Sequence, residues 1–450
     1  MKRSFLFFIA ALIVAGCGKS SSARAQVHEL NIEKALEQQS FPLTVTHGDY
    51  SGISMIDESH YAVVSDKSAG DGFFIFEIKF DKKSGKILSA SNSSADGTGV
   101  SFFSAGGGVN RDAEGIVYVP SLKTVFISGE ADKAVYEYDM RGARTGRSFN
   151  IPTVFSGASS NSGFESLAYN ANTHRFWTTT ESTIPSDGAQ ATATNGVQNV
   201  LRFQSFNENL QPVAQYVYKM DAPSAADAVA AENKAAEEKR ANAAKNGGSG
   251  DDTGDLFSII MSVASQVLSK SPAEKGAAVD MPYAMGVSEL LALDDGSLIV
   301  LEREFYIPSG IVGARVVCKL YLVNPADCKP IAVSAAGSSA GSSGRASAAG
   351  SSAGSSSAGS SASASSSGSS ADISQFSAAI PADAPVLSKR LLYRFTTALK
   401  SPNDFNIANY EGMCLGPVLS NGNRTVILIS DSQSGYKGIL QDWFKVLEIK

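Results

Sequence analysis

Residues 409–431 read NYEGMCLGPVLSNGNRTVILISD, and the fold follows from how this stretch is parsed. Glu411-Gly412 opens an apolar run, Ser420-Asn421-Gly422 makes a turn, and a β-branched strand ends on Asp431. Asn-Gly between two β-rich runs signals an antiparallel hairpin. The same phrase stands four times upstream: Ser51-Gly52 leading to Asp66, Glu114-Gly115 to Glu130, Glu165-Ser166 to Glu181, and Glu289-Leu290 to Glu302. A third strand follows each hairpin (FFIFEIKF, AVYEYDM, LRFQSF, VCKLYLV, FKVLEIK), and in places a fourth (RSFNIP, AQYVYKM, RLLYRF). Four-stranded antiparallel units repeated along a chain are the signature of a β-propeller. The expected fold is therefore all-β, a single propeller over residues 27–450 with five clear blades. FKVLEIK is expected to close the ring with a strand from residues 27–48.

The chain has 450 residues with 38 Lys and Arg against 44 Asp and Glu, a net charge of −6. That balance excludes a strongly basic nucleic-acid binder, and the hydropathy excludes a multi-span membrane protein. Two stretches break the repeat and read as insertions. The first, 222–278, starts rich in Ala, Glu and Lys and contains DLFSIIMSVASQVLSK at 255–270, helical in period with Asp255 as cap. The second, 334–371, is Ser, Ala and Gly apart from Arg345. Such a tract buries too little apolar area to offset its ordering entropy and is expected to be disordered. Its two GxSxG matches, at 337–341 and 350–354, follow no strand and are compositional accidents. Without the insertions and the leader, roughly 330 residues remain for the core, enough for six or seven blades at about 40–50 residues each.

Residues 1–16 read MKRSFLFFIAALIVAG, a basic start followed by a short apolar segment, which is the pattern of an exported leader. The end of this segment with Cys17 resembles the bacterial lipobox, in which the cysteine is acylated and becomes the mature N-terminus. The alternative is an ordinary signal peptide with a chance cysteine. Two or three acyl chains anchor firmly, since each buried methylene adds about 0.8 kcal/mol. Residues 17–26 then form a flexible tether, and Gly18 after the cysteine implies the outer membrane of a bacterial cell envelope. Cys318, Cys328 and Cys414 allow at most one disulfide. Cys318 and Cys328 flank an expected hairpin turn at Asn324-Pro325, too far out of register to bridge. Buried small residues are the simpler reading.

The hairpin geometry turns the repeat into a candidate site. The start of one strand and the end of its antiparallel partner share one end of the hairpin. If the first strand of each blade lines the channel, Asp66, Glu114, Glu130, Glu165, Glu181, Glu289, Glu302, Glu411 and Asp431 gather at one mouth. Asp49, Asp112, Glu304 and Asp404 stand near them in sequence. Converging like charges raise one another's pKa unless cations neutralise them. An oxygen-only set of this kind suits Ca²⁺, which takes six to eight oxygen ligands. The four histidines, at 28, 47, 60 and 174, are too scattered for zinc. The plain alternative for any one acid is a turn cap or a pair with Arg111, Arg175, Arg303 or Arg424.

The stretches NRDAEGIVYVP, SGFESLAYN, SELLALDDGSLIVLERE and NYEGMCLGPVLSNGNRTVILISDSQ resemble the phytase-like domain family, also called esterase-like activity of phytase. The resemblance covers most of residues 40–450 outside the insertions and implies an exported propeller that hydrolyses a phosphate or carboxylate ester. The positions matching its motifs are Asp112, Glu114, Glu165, Glu289, Glu302, Arg303, Glu411 and Asp431, while the first unit departs with Ser51 in place of an acid. Two functions follow as expectations. In the first, Asp112, Glu114, Glu165, Glu411 and Asp431 hold Ca²⁺. Glu114, Glu165, Glu289, Glu302, Arg303 and Glu411 act on an anionic ester substrate, with Arg303, Arg111 or Arg424 gripping the anion. In the second, the propeller is a non-catalytic envelope binding or scaffolding module with a structural calcium ion. No Ser-His-Asp set is evident.

Overall fold

A computed structural model describes residues 30–225, 283–333 and 373–450, apart from 95–96, 98, 107, 160–162, 309–310 and 402–404, together with single positions between 226 and 242. The leader, Cys17, the tether, most of 222–278 with its 255–270 segment, and the 334–371 tract lie outside the described residues, as does Asp404.

Each of the five sequence hairpins becomes the inner pair of an antiparallel sheet. Blade 1 runs outward from Tyr50–Met55 through His60–Ser65 and Phe73–Phe80 to Ile87–Ser91, with Phe102–Phe103 added beside the start of its third strand. Blade 2 is Ala113–Val119, Thr124–Gly129, Ala134–Asp139 and Arg144–Ser148. Blade 3 is Ala168–Asn170, Arg175–Thr178, Val200–Phe206 and Pro212–Lys219, edged by Ala332–Val333. Blade 4 is Tyr283–Ala292, Leu298–Tyr306, Arg315–Val323 and Lys389–Ala398. Blade 5 is Asn409–Val418, Arg424–Asp431, Phe444–Ile449 and, outermost, Ile32–Ala35 from the other end of the chain.

The last pairing closes the ring where it was expected. Ile32 lies opposite Ile449, and Asn31 and Lys450 exchange backbone hydrogen bonds of 3.1 Å. The described residues form five blades, where the length allows six or seven, and long connections between strands take up the surplus. Asn324-Pro325 is not a hairpin turn either. It starts a 3₁₀ turn, Pro325–Asp327, and the chain crosses from blade 4 to pair Ala332–Val333 with blade 3. Cys318, Cys328 and Cys414 are free thiols, the first and last of them buried.

Blades are covered on both faces, so their strands read as apolar runs such as TVILIS rather than a strict alternation. Five clusters of buried side chains fill the gaps between neighbouring blades. Ile116, Ile127 and Val64 pack between blades 1 and 2, and Phe126, Phe176 and Phe206 between blades 2 and 3. Phe203, Tyr218 and Val300 join blades 3 and 4, Leu301, Tyr410 and Leu428 join 4 and 5, and Tyr50, Phe76 and Ile429 join 5 and 1. Each side chain fully buried this way contributes about 1.5–3 kcal/mol.

The inner strands share one irregularity, and it positions the site. The register slips between Tyr50 and Gly52, between Ala113 and Ile116, between Val287 and Glu289, and between Tyr410 and Gly412. Blade 3 has the same excess residue between the pairs Phe164–Thr180 and Ala168–Trp177. A bulge at this point re-aims the side chain it carries. The residue after it lies against the next blade: a Cβ on Gly115 would stand 2.6 Å from the Leu167 nitrogen, and one on Gly412 2.8 Å from the Ser51 oxygen. Glycine is used there because backbone approaches backbone.

Candidate functional site

The common register defines equivalent positions in all five blades. The bulged residue is Ser51, Glu114, Glu165, Ser288 and Glu411 in turn. On the second strand, the residue one past the partner of the residue before the bulge is Asp66, Glu130, Glu181, Arg303 and Asp431. The mouth therefore gathers Glu114, Glu165, Glu411 and Asp431 from the expected set, with Asp66, Glu130 and Glu181, and it places Arg303 among them. All of these but Asp66 are buried.

Two expected members are not in this ring. In blade 4, Val287 pairs with Glu302 and Glu289 with Leu301, so Ser288 and Arg303 take the places that Glu289 and Glu302 were expected to fill. A slip of one residue turns a strand side chain to the other face. Glu302 accordingly faces blade 3, accepting from the Tyr218 hydroxyl at 2.7 Å and pairing with Lys389 at 2.6 Å. Glu304 faces the same way and receives the Ser224 and Ala225 backbone N–H groups, at the start of the 222–278 insertion, and the hydroxyl of Tyr283, which opens the inner strand of blade 4. Glu289 stands where other blades carry Gly52, Gly115 and Gly412, and its side chain enters the channel. It is 1% exposed and accepts the N–H groups of Leu167 at 3.2 Å and Leu290 at 2.9 Å, with Met413 N–H directed at the same carboxyl. Burial pushes its pKa well up, and no other acid adds to the shift.

Arg303 is the counter-charge of the ring. Its Nη1 binds Glu411 at 2.6 Å and the Asn409 side-chain oxygen at 2.9 Å, and its Nη2 binds Glu181 at 2.5 Å. Asn409 donates in turn to Glu411. With 5% exposure and both terminal nitrogens engaged, Arg303 holds the ring together rather than reaching for an anion. Arg111 is tied to Asp132 at 2.7 Å and lies over the Tyr136 ring, and Arg424 sits at the far end of its strand near Asp294. Lys67 is the cation at the rim that solvent reaches. Its side chain is 58% exposed, and it bridges Asp66 at 2.5 Å and Asp112 at 3.0 Å.

One arginine and one lysine do not balance the carboxylates. Burial first, then Asp66 and Glu130, push Glu114 well above the usual carboxylate range. Burial and then Glu114 and Glu181 do the same to Glu165, and burial with Glu411 and Asp66 to Asp431. Burial lifts Glu130 to about 8, and it lifts Asp66 to about 7 in spite of Lys67. Glu411 is raised too, held back by Arg303.

Among the described residues, two groups of carboxylate oxygens lie within 4.8 Å of one another: Asp49, Asp66 and Asp431, and Asp66, Asp112 and Glu114. Oxygens bound to one Ca²⁺ at 2.3–2.6 Å are at most about 4.6–5.2 Å apart, so both spacings fit calcium. Lys67 already bridges the second group. In the first, Asp66 Oδ1 is buried with no hydrogen-bond partner. Asp49, which sequence reasoning left outside the ligand set, is fixed there by Ser432 at 3.1 Å and by the Ser434 hydroxyl at 2.8 Å. Glu165 and Glu411 belong to neither group. Lys67 and Asn409 were also missed, although each lies within two residues of a ring acid.

The profile of the phytase-like family, described as esterase-like activity of phytase, matches residues 45–433. The chain belongs to this family. No curated protein matches it. Solved structures resemble it at low similarity. A streptogramin B lyase is 8% identical over 92% of this chain and 98% of its own, with a TM-score of 0.29. The PQQ-bound aldose sugar dehydrogenase of Streptomyces coelicolor is 9% identical over 94% and 98%, with a TM-score of 0.30. The Cps50 (Swd1) β-propeller domain from Myceliophteria thermophila is 6% identical over 90% and 98%, with a TM-score of 0.27. Among the described residues, no helix is long and apolar enough to cross a membrane.

Proposed function

We propose that this phytase-like propeller is a calcium-dependent hydrolase of an anionic ester, held to the bacterial cell envelope, at the outer membrane, by a lipid on Cys17. The observation that carries the reading is the Asp49, Asp66 and Asp431 cluster, where three carboxylates converge and a buried Asp66 oxygen lacks a partner. Asp49, Asp66 and Asp431 would hold calcium there, and it would supply polarisation of an ester oxygen and activation of water. The chain's own residues do the rest. Lys67 attracts the anion from the exposed rim, and Arg303 keeps Glu181 and Glu411 fixed so that the ring does not spread. Glu130, which belongs to neither carboxylate group and is lifted to about 8, holds or releases a proton near neutral pH, as a general acid or base must. Glu114 and Glu165 complete the charge of the mouth. Glu289 and Glu302 have no part in this chemistry: one fills the channel and the other faces blade 3.

The test is turnover of phosphomonoesters, phosphodiesters, phytate and short-chain carboxylic esters by the purified protein, with calcium and with a chelator. Chelator-sensitive turnover, lost in a folded Asp66→Asn variant, supports the enzyme. No turnover on any ester, with calcium raising only the melting temperature, leaves a binding or scaffolding propeller with a structural ion. Replacing Cys17 with Ser is expected to release the protein from membranes, and unchanged fractionation contradicts the anchor.

A further inference from the structure

Beside the mouth, against blade 1, lies a cavity of about 470 Å³, within the size range of small-molecule sites. Its lining combines two chemistries. Phe74, Phe102 and Val100 supply apolar surface, with the two rings in contact; Lys67, Asp49 and Ser434 supply charge and hydrogen bonds, with Asp49 and Ser434 joined at 2.8 Å. The Phe74 and Phe102 rings lie 4.8 Å apart, inclined at 49°, and Tyr50 meets Phe74 edge-on at 5.6 Å. Tyr50 is itself fixed, donating to the Thr46 carbonyl and accepting from Asn92. Phe102 comes from the short strand that blade 1 adds beside Phe73–Phe74, outside the four-stranded repeat. His47, its ring held by Asp442 at 2.9 Å, stands in the same wall. Asp49 belongs both to this cavity and to the carboxylate cluster, so the cavity adjoins the cluster.

The geometry points to an aryl phosphate monoester as the substrate class: a flat aromatic group lies against Phe74 and Phe102, and its phosphate meets Lys67 and the Asp49, Asp66 and Asp431 cluster. The reactive half of this inference rests on the calcium-dependent hydrolase reading; the binding half rests only on calcium occupying the carboxylate cluster, not on turnover. A polyol phosphate, hydrated on every side, would set hydroxyl groups against Phe74, Phe102 and Val100 without hydrogen-bond partners. An aryl group removes the same surface from water, and ring pairs add specific geometry. In hydrolysis, water forms the new P–O bond, the P–O bond to the aryl oxygen breaks, and one proton of that water ends on the departing phenolate.

The experiment uses the full chain loaded with calcium and two non-hydrolysable probes, phenylphosphonate and methylphosphonate, measured by calorimetry. Phenylphosphonate is expected to bind at least tenfold more tightly, a difference of about 1.4 kcal/mol. Phe102→Ala should erase the preference and leave methylphosphonate binding unchanged. Val100→Ser, at a position 40% exposed, should narrow the preference without touching the packed core. A parallel assay compares 2-naphthyl phosphate with glycerol 2-phosphate, and at least tenfold higher kcat/KM is expected for the aryl ester. Equal binding of the two phosphonates, or a preference that survives both variants, overturns the pocket. Phenylphosphonate preferred with no ester turned over keeps the pocket and overturns the hydrolase reading instead.

Discussion

Blades 4 and 5 stand side by side with the same inner-pair register, yet they carry opposite chemistry at matching positions. Where blade 5 has Glu411, Gly412 and Asp431, blade 4 has Ser288, Glu289 and Arg303. Blade 5 supplies carboxylates to the mouth. Blade 4 supplies the cation that keeps them together and a carboxyl that fills the channel behind them. A repeat that brings three bulge acids and four second-strand acids to one point needs a blade that departs from the pattern, because like charges at that spacing repel.

The largest way to break this comparison is to remove the cation. Arg303→Met is expected to cost about 3–5 kcal/mol in urea unfolding, the range for leaving buried charges unpaired. Calcium should recover part of that loss, since it too neutralises the ring. Next comes the channel carboxyl. Glu289→Leu leaves the N–H groups of Leu167 and Met413 without an acceptor and should cost about 2 kcal/mol. Glu289→Gln keeps an oxygen there and should cost less than about 1 kcal/mol. Equal losses in the two variants would mean that Glu289 acts through its charge.

A smaller effect follows from pH. In the metal-free protein Asp66 rises to about 7 and Glu130 to about 8, above their unfolded values near 4. The folded state then binds more protons than the unfolded one through that window. Its stability is greatest below about pH 4 to 5 as far as these groups are concerned, and falls as pH rises toward 8. The melting temperature of chelator-treated protein should drop by about 5 °C between pH 5 and pH 8, and calcium should remove most of the drop. The smallest effect sharpens the contrast between two neighbouring residues. Glu302→Gln should weaken the contact with Lys389 and change calcium affinity by less than about twofold, a difference of less than about 0.4 kcal/mol.

The propeller was legible in the sequence because hairpin turns and β-rich runs are local signals, repeated five times and closed by a strand from the other terminus. The convergence of acids at one mouth was legible for the same reason: it needs only the antiparallel geometry of each hairpin. Blade 4 was not legible. SELLAL and LERE each put an acid beside the position that matters, and a bulge of one residue decides which neighbour faces the channel. Nothing local in Glu289 or Glu302 separates them from Glu411 and Asp431; the pairing of Val287 with Glu302 does. Asp49 and Lys67 lay outside the repeated phrase: Lys67 follows Asp66 directly but reads as an ordinary surface lysine, and only the folded hairpin brings Asp49 to Asp66.

The most direct measurement is a calcium titration of the chelator-stripped full chain, followed by calorimetry in two buffers of different ionisation enthalpy. Saturable binding is expected, with protons released as the raised carboxyls of the mouth ionise. Affinity should fall at least tenfold in Asp66→Asn and Asp431→Asn and stay unchanged in Glu302→Gln. No calcium binding, or equal affinity in all four proteins, would contradict a calcium site built from Asp49, Asp66 and Asp431.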